Sequence, residues 1–159
     1  MSQISLVGAG PGPLELLTLR ALHRLEAAEV VVYDRLVGSE ILARIPHGAA
    51  RFDVGKRCGE PSPTQEEINA LLLALARTGK RVVRLKGGDP LVFGRGGEEA
   101  LHLARHGIEA ELVPGITAAL GCAASSFIPL THRGLARSLT LVTGHLMDER
   151  DYQGWQGPV

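Results

Sequence analysis

RLKGGDPLVFGRGGEE, Arg84 to Glu99, is the stretch whose reading decides the fold. It continues a strand-like, buried-looking run, Arg81 to Leu85, and leads into helix-like residues near Gly97. Four glycines and a proline lie between them. Glycine has no Cβ, so it permits positive φ and a close approach of a ligand to the backbone. Pro90 biases Asp89 toward an extended or turn conformation. A strand, such a loop and then a helix set bare N–H groups and one carboxylate at the carboxyl edge of a sheet. Open α/β sheets bind ligands at that edge. The plain alternative is an ordinary tight βα connection, which the length of the loop and its glycines disfavour.

Working outward, the same alternation recurs. Ile4 to Val7 is a short strand followed at once by GAGPGP, and Leu14, Leu17, Ala21 and Leu25 then fall at helical spacing. Val30, Val31 and Val32 make Glu29 to Tyr33 a continuous apolar strand of the parallel-sheet type, with Asp34 at its carboxyl end. Ser39 opens a short helix that Pro46 stops after Ile45. Arg51 to Val54 is a weaker strand, and Gly55 to Pro63 a loop. Thr64 and Glu67 form a capping box for a helix whose apolar face is Ile68, Leu71, Leu72 and Leu75. After the central loop come a helix to His106, a strand at Ala110 to Val113, and PGITAALGCAASS, a turn and a helix of small residues. Five β-α units predict an α/β fold, a five-stranded parallel sheet with helices on both faces.

That domain is expected to span residues 1–127, with a linker at 128–137. Ser138 to Thr143 reads as one more strand. A lone strand cannot bury itself, so residues 138–159 read as the start of a second α/β domain that the chain enters and leaves unfinished.

Bulk properties bound the function. The formal net charge is zero and apolar content an ordinary 45%, which disfavours a dedicated nucleic-acid or membrane-surface protein. No apolar run reaches the roughly eighteen residues of a membrane span, and the N-terminus lacks a signal-peptide pattern. Cys58 and Cys122 are isolated and read as free thiols in a reducing, cytoplasmic setting. No metal site is predicted.

The chemistry of single residues is less decisive. GAGPGP, Gly8 to Pro13, resembles a dinucleotide fingerprint only in part, because Pro13 takes the third glycine's place and Pro11 removes an amide donor. Asp34 lies about 24 residues beyond Gly10, near where a ribose-binding acid falls, so a nicotinamide reading stays open. A phosphate-binding Walker loop is excluded, since Lys86 precedes the glycines and no GK[ST] follows. Asp89 among glycines is consistent with a partly cationic ligand such as S-adenosylmethionine, without requiring it. Asp34 and Lys56 both follow strands and project at one sheet edge, where they can serve as an acid–base pair or stand as ordinary surface charges. His23, His47, His102 and His106 read as solvent-facing. His132, Arg133 and Arg137, with Lys56 and Arg57, form a cation group suited to a polycarboxylate, or a scattered basic surface.

Several motifs then carry a resemblance. GAGPG at Gly8–Gly12, LLTL at Leu16–Leu19, VVVYDRLV at Val30–Val37, VGKR at Val54–Arg57, QEEIN at Gln65–Asn69, RVVRLKGGDP with FGRGGEE, VPGITAA at Val113–Ala119, IPLTHR at Ile128–Arg133 and LVTGH at Leu141–His145 resemble the uroporphyrinogen-III C-methyltransferases among the tetrapyrrole methylases. The resemblance implies methyl transfer from S-adenosylmethionine to uroporphyrinogen III, giving precorrin-2 for sirohaem or cobalamin synthesis and S-adenosylhomocysteine as by-product. By motif position it implies that Asp34 is the proton acceptor and Lys56 the proton donor. It implies cofactor contacts at Pro11, Gly87, Gly88, Asp89, Val92, Thr117 and Ala118. A homodimer is implied as well. Pro13 departs from the acidic residue usual after GPG. The alternatives are a cofactor-binding fragment without turnover and a methylase for a later corrin intermediate.

Overall fold

The computed structural model describes residues 4–55 and 62–143. It divides into two compact units, Met1–Ile128 and Pro129–Val159. The first holds five strands, β1 (Ile4–Gly8), β2 (Val30–Tyr33), β3 (Ala50–Asp53), β4 (Val82–Lys86) and β5 (Glu111–Val113). All four pairings are parallel, in the order β3-β2-β4-β1-β5. The five-stranded parallel sheet expected from the sequence is therefore present, with β4 at its centre.

Strand side chains alternate between faces, and two apolar layers result. Val7, Val31, Val83 and Leu85 pack with Ala21 and Leu25 of α1 (Leu19–Glu26) and Ile41 of α2 (Ser39–Leu42). Ile4, Val30, Val32 and Val82 pack with Ile68, Leu72 and Ala76 of α3 (Gln65–Ala76) and Leu103 of α4 (Gly96–Arg105). This is why the Val30–Val32 run is apolar without a break: both of its faces are covered. The fifth helix, α5, is Ala118–Ser125.

Sequence and structure differ at particular places. Leu14 and Leu17 do not continue α1. Pro13 is extended, Leu14–Leu16 is a single 3-10 turn, and Thr18 then caps α1 by accepting from the Ala21 N–H at 3.2 Å. Both leucines still pack on the core, so the apolar period survives a break in the helix. Gly38 rather than Ser39 is the N-cap of α2, which ends at Leu42. The Thr64–Glu67 capping box forms as expected. In the second unit, 138–143 forms no strand and lies exposed. A strand needs a partner, and among the described residues of that unit the only ladder contact is the isolated His132–Ala136 bridge.

One ion pair fastens α1 to the β1–β5 edge. Glu111 on β5 accepts from the Arg24 guanidinium through both oxygens and from Ser5 Oγ at 2.8 Å. The Arg24 hydrogen bond holds the Glu111 carboxyl below the usual glutamate range, against the opposing effect of burial, and Ser5 reinforces it. A carboxyl depressed in the folded state contributes stability that is fully present above its unfolded value, about 4.3. That contribution is lost as pH falls through the lower folded value. Urea midpoints measured across this acid range should fall more steeply for the wild type than for Glu111→Gln. Parallel curves would remove the pair from the stability of this edge.

Candidate active site

Because every strand is parallel, the loops after β1, β2, β4 and β5 leave from one edge of the sheet. The chain leaves β1 for β2, while β4, its neighbour, connects to β5. The helices that follow, α1 and α4, lie on opposite faces. Such a reversal opens a crevice at the carboxyl ends of the strands.

Backbone contacts between glycines close the floor of this crevice. Gly10 and Gly88 exchange two hydrogen bonds, Gly10 N to Gly88 O at 3.1 Å and Gly88 N to Gly10 O at 2.8 Å. Gly88 sits at φ +66, in the left-handed region. A Cβ on Gly115 would stand 2.2 Å from Gly88 O, and one on Gly8 2.6 Å from Gly115 N. The loops after β1, β4 and β5 thus meet backbone to backbone. Asp89 laces the last two together: its Oδ2 accepts from Gly115 N at 3.0 Å, while Oδ1 accepts from Leu91 N at 2.8 Å. The carboxylate that the sequence offered as a lone charge is therefore engaged by backbone donors through both oxygens.

Around this floor the sequence-derived cofactor residues gather. Gly88 lies against Thr117 and Ala118, with a built Cβ only 3.8 Å from Thr117 Cα and 3.7 Å from Ala118 N. Pro11 lies on α5, where a side chain at Gly121 would strike its ring at 2.6 Å. Gly87 lies beneath Leu36, two residues beyond Asp34. Pro11, Gly87, Gly88, Asp89, Val92 and Thr117 are all half-buried, and Ala118 is exposed. Thr117 is the N-cap of α5 but makes no side-chain cap bond, so its hydroxyl is uncommitted to the helix. Beyond the glycines, Phe93 and Arg95 also take left-handed backbone (φ 53 and 57) before α4 begins.

Asp34 is held from below by charges that sequence reading did not single out. Its Oδ1 accepts from Arg84 Nη2 at 2.7 Å, and Lys86 Nζ lies 3.7 Å from Oδ2. Arg84 and Lys86 alternate along β4 on the α3–α4 face, and both are buried. Glu99 of α4, 1% exposed, accepts from Arg84 Nε at 3.2 Å and Lys86 Nζ at 3.0 Å. Two cations and two carboxylates thus balance at the centre of the sheet. The run Arg81 to Leu85 reads as buried but names no partner for its charge; what could have revealed one is Glu99, placed to return to β4 from the first turns of α4. His102, one turn further on, is also not solvent-facing as expected: its Nε2 is buried and without a partner among the described residues. Lys56 lies outside the described residues, so its pairing with Asp34 has no geometry here.

The arrangement defines a class. The tetrapyrrole (corrin/porphyrin) methylase profile matches residues 3–157, and the chain belongs to that family. It is similar to the siroheme synthase of Pseudomonas putida (strain W619), 56% identical over 153 residues, which cover 96% of this chain and 33% of that protein. It is also similar to the solved uroporphyrin-III-C-methyltransferase of Thermus thermophilus, with TM-score 0.75 and 55% identity over 84% of this chain and 56% of the other. The same enzyme complexed with S-adenyl homocysteine matches with TM-score 0.73 and 55% identity over 85% and 56%. The chain spans about a third of the curated relatives' length.

Removing one member of a buried charge group leaves its partners uncompensated, at a cost of about 3–5 kcal/mol. Glu99→Ala should therefore lower the unfolding free energy by about that amount, as read by urea denaturation. A loss under about 1 kcal/mol would mean that the cations find other partners or water.

Proposed function

We propose that this chain binds S-adenosylmethionine in the glycine crevice and methylates uroporphyrinogen III toward precorrin-2, in sirohaem or cobalamin synthesis. The observation that carries the reading is the meeting of Gly10, Gly88 and Gly115 beside Thr117, with Asp34 fixed at the same sheet edge. The glycines let three loops meet backbone to backbone with no side chains between them, and the Thr117 hydroxyl is free of the helix cap. Those features suit an extended nucleoside ligand lying on bare backbone. Pro11, Gly87, Gly88, Asp89, Val92, Thr117 and Ala118 would hold the cofactor. Of these, Asp89 would act chiefly by keeping the two loops in register.

When bound, the cofactor supplies an electrophilic sulfonium methyl group. Everything else falls to positioning and proton handling. Arg84 fixes one oxygen of Asp34, leaving the carboxylate oriented to accept the proton that leaves a methylated ring carbon. Lys56 is the proposed donor of the compensating proton. The protein is further proposed to act in the cytoplasm as a homodimer, with no nucleic-acid partner. Residues 138–159 would begin a second domain after the linker at 128–137. No helix among the described residues is long and apolar enough to cross a membrane.

The direct test is calorimetric titration of S-adenosylhomocysteine into the 159-residue chain. Heat should be measurable for the wild type and absent for Gly115→Ala, whose Cβ would strike the Gly88 carbonyl. No heat from a folded wild type at millimolar ligand would overturn the cofactor reading. In a form of the protein that turns over, Asp34→Asn should lower kcat about a hundredfold or more with ligand affinity kept. Normal turnover would take Asp34 out of the mechanism.

A further inference from the structure

Lys86 is the last residue of β4 and stands directly before Gly87 and Gly88 of the crevice. Its ammonium lies between two carboxylates, with Nζ 3.0 Å from Glu99 Oε1 and 3.7 Å from Asp34 Oδ2. Only the shorter of the two is a hydrogen bond. The ammonium is therefore committed to Glu99 and stands back from Asp34.

Burial explains that preference. The Glu99 side chain is 0% exposed and the Asp34 side chain 27%. Solvent screens the attraction of the exposed carboxylate more than that of the buried one. Glu99 Oε1 is also fixed by two further donors, Arg84 Nε at 3.2 Å and Gln65 Nε2 of α3 at 3.4 Å. The two oxygens of Asp34 consequently differ. Oδ1 accepts from Arg84 Nη2 at 2.7 Å, whereas Oδ2 accepts no hydrogen bond among the described residues. A small advance of the Lys86 ammonium would cap Oδ2. A carboxylate oxygen that accepts from an ammonium takes up a proton less readily.

We propose that Glu99 is a positioning residue that keeps Asp34 Oδ2 open to accept a proton, by drawing the Lys86 ammonium away from it. The use of Asp34 as a base rests on the methylase reading; the hold on Lys86 rests on the two separations alone. In the step itself a substrate C–H bond breaks, an O–H bond forms at Oδ2, and the electron pair stays in the ring system. Arg84 remains on Oδ1, and Lys86 keeps all of its protons. Asp34, being part-exposed, then returns the proton to water.

The test begins with a crystal structure of the 159-residue chain carrying Glu99→Gln, which keeps an acceptor oxygen for Arg84 and Gln65 and removes the charge. Lys86 Nζ should there close on Asp34 Oδ2 to hydrogen-bond distance, about 2.7–3.2 Å. In a form of the protein that turns over, Glu99→Gln should lower kcat about tenfold or more, with S-adenosylhomocysteine affinity unchanged. A purely structural role for Glu99 would lower that affinity along with kcat. Adding Lys86→Met should bring kcat back to within about threefold of wild type, because the capping group is gone and Arg84 still balances Asp34. An ammonium that keeps its distance in Glu99→Gln, a wild-type kcat in that variant, or a double variant no faster than Glu99→Gln would each overturn the proposal. If Glu99→Gln does not fold, the charge-balanced double variant decides: a rate near wild type supports the proposal, and one as low as that of Asp34→Asn overturns it. If the wild type binds no S-adenosylhomocysteine, the methylase reading falls and the base role of Asp34 with it. A failure confined to the Glu99 variants leaves that reading in place.

Discussion

Two hydrogen bonds between Gly10 and Gly88 are the constraint on which the site depends. They close an isolated antiparallel bridge just beyond the parallel pairing of β1 and β4 and hold the two following loops in contact. Gly115 completes the contact from β5 at a separation that no side chain would allow. Each glycine is needed for a different reason. Gly88 must adopt positive φ, whereas Gly8 and Gly115 must leave space for a neighbouring backbone. The result is a rigid floor of peptide groups, built without side chains that could block a ligand.

Beneath one end of that floor, the charges on β4 link the core to the reacting edge. Arg84 touches Glu99 inside and Asp34 outside. A buried guanidinium is planar and permanently charged, so it can hold a carboxylate in a fixed direction with little freedom to relax. Catalysis by a positioned base needs that fixity more than it needs a reactive group. The position of Asp34 is thus set from helix α4, through the Arg84 and Lys86 side chains that lie between Glu99 and Asp34.

Much of this was legible in the residues. The Val30–Val32 run, the Thr64–Glu67 box and the glycine loop after Leu85 each carry a local signal that the structure follows. What was hidden is what depends on distant partners. Nothing near Asp89 announces that its carboxylate will bind Gly115, 26 positions away. Arg84 sits in a run that reads as buried, but nothing beside it or Lys86 names Glu99 as their shared partner. The break at Leu17 was hidden for the opposite reason: the apolar spacing is real, but Pro13 and the Thr18 cap decide locally where the helix starts. At 138–143 the pattern alone promised a strand, and a strand exists only with a neighbour.

The balanced charges on β4 and α4 also constrain how the chain can assemble. Sliding β4 by one residue against its neighbours would turn Arg84 and Lys86 to the opposite face, among Val7, Leu25 and Ile41. Glu99 would then be sealed against aliphatic carbon with no counter-ion. An all-apolar seam would tolerate such misalignment at small penalty, whereas ions in a dry interior reject it. The same four side chains that aim a carboxylate in the finished protein thus act, during folding, as a key that admits only one seating of helix on sheet.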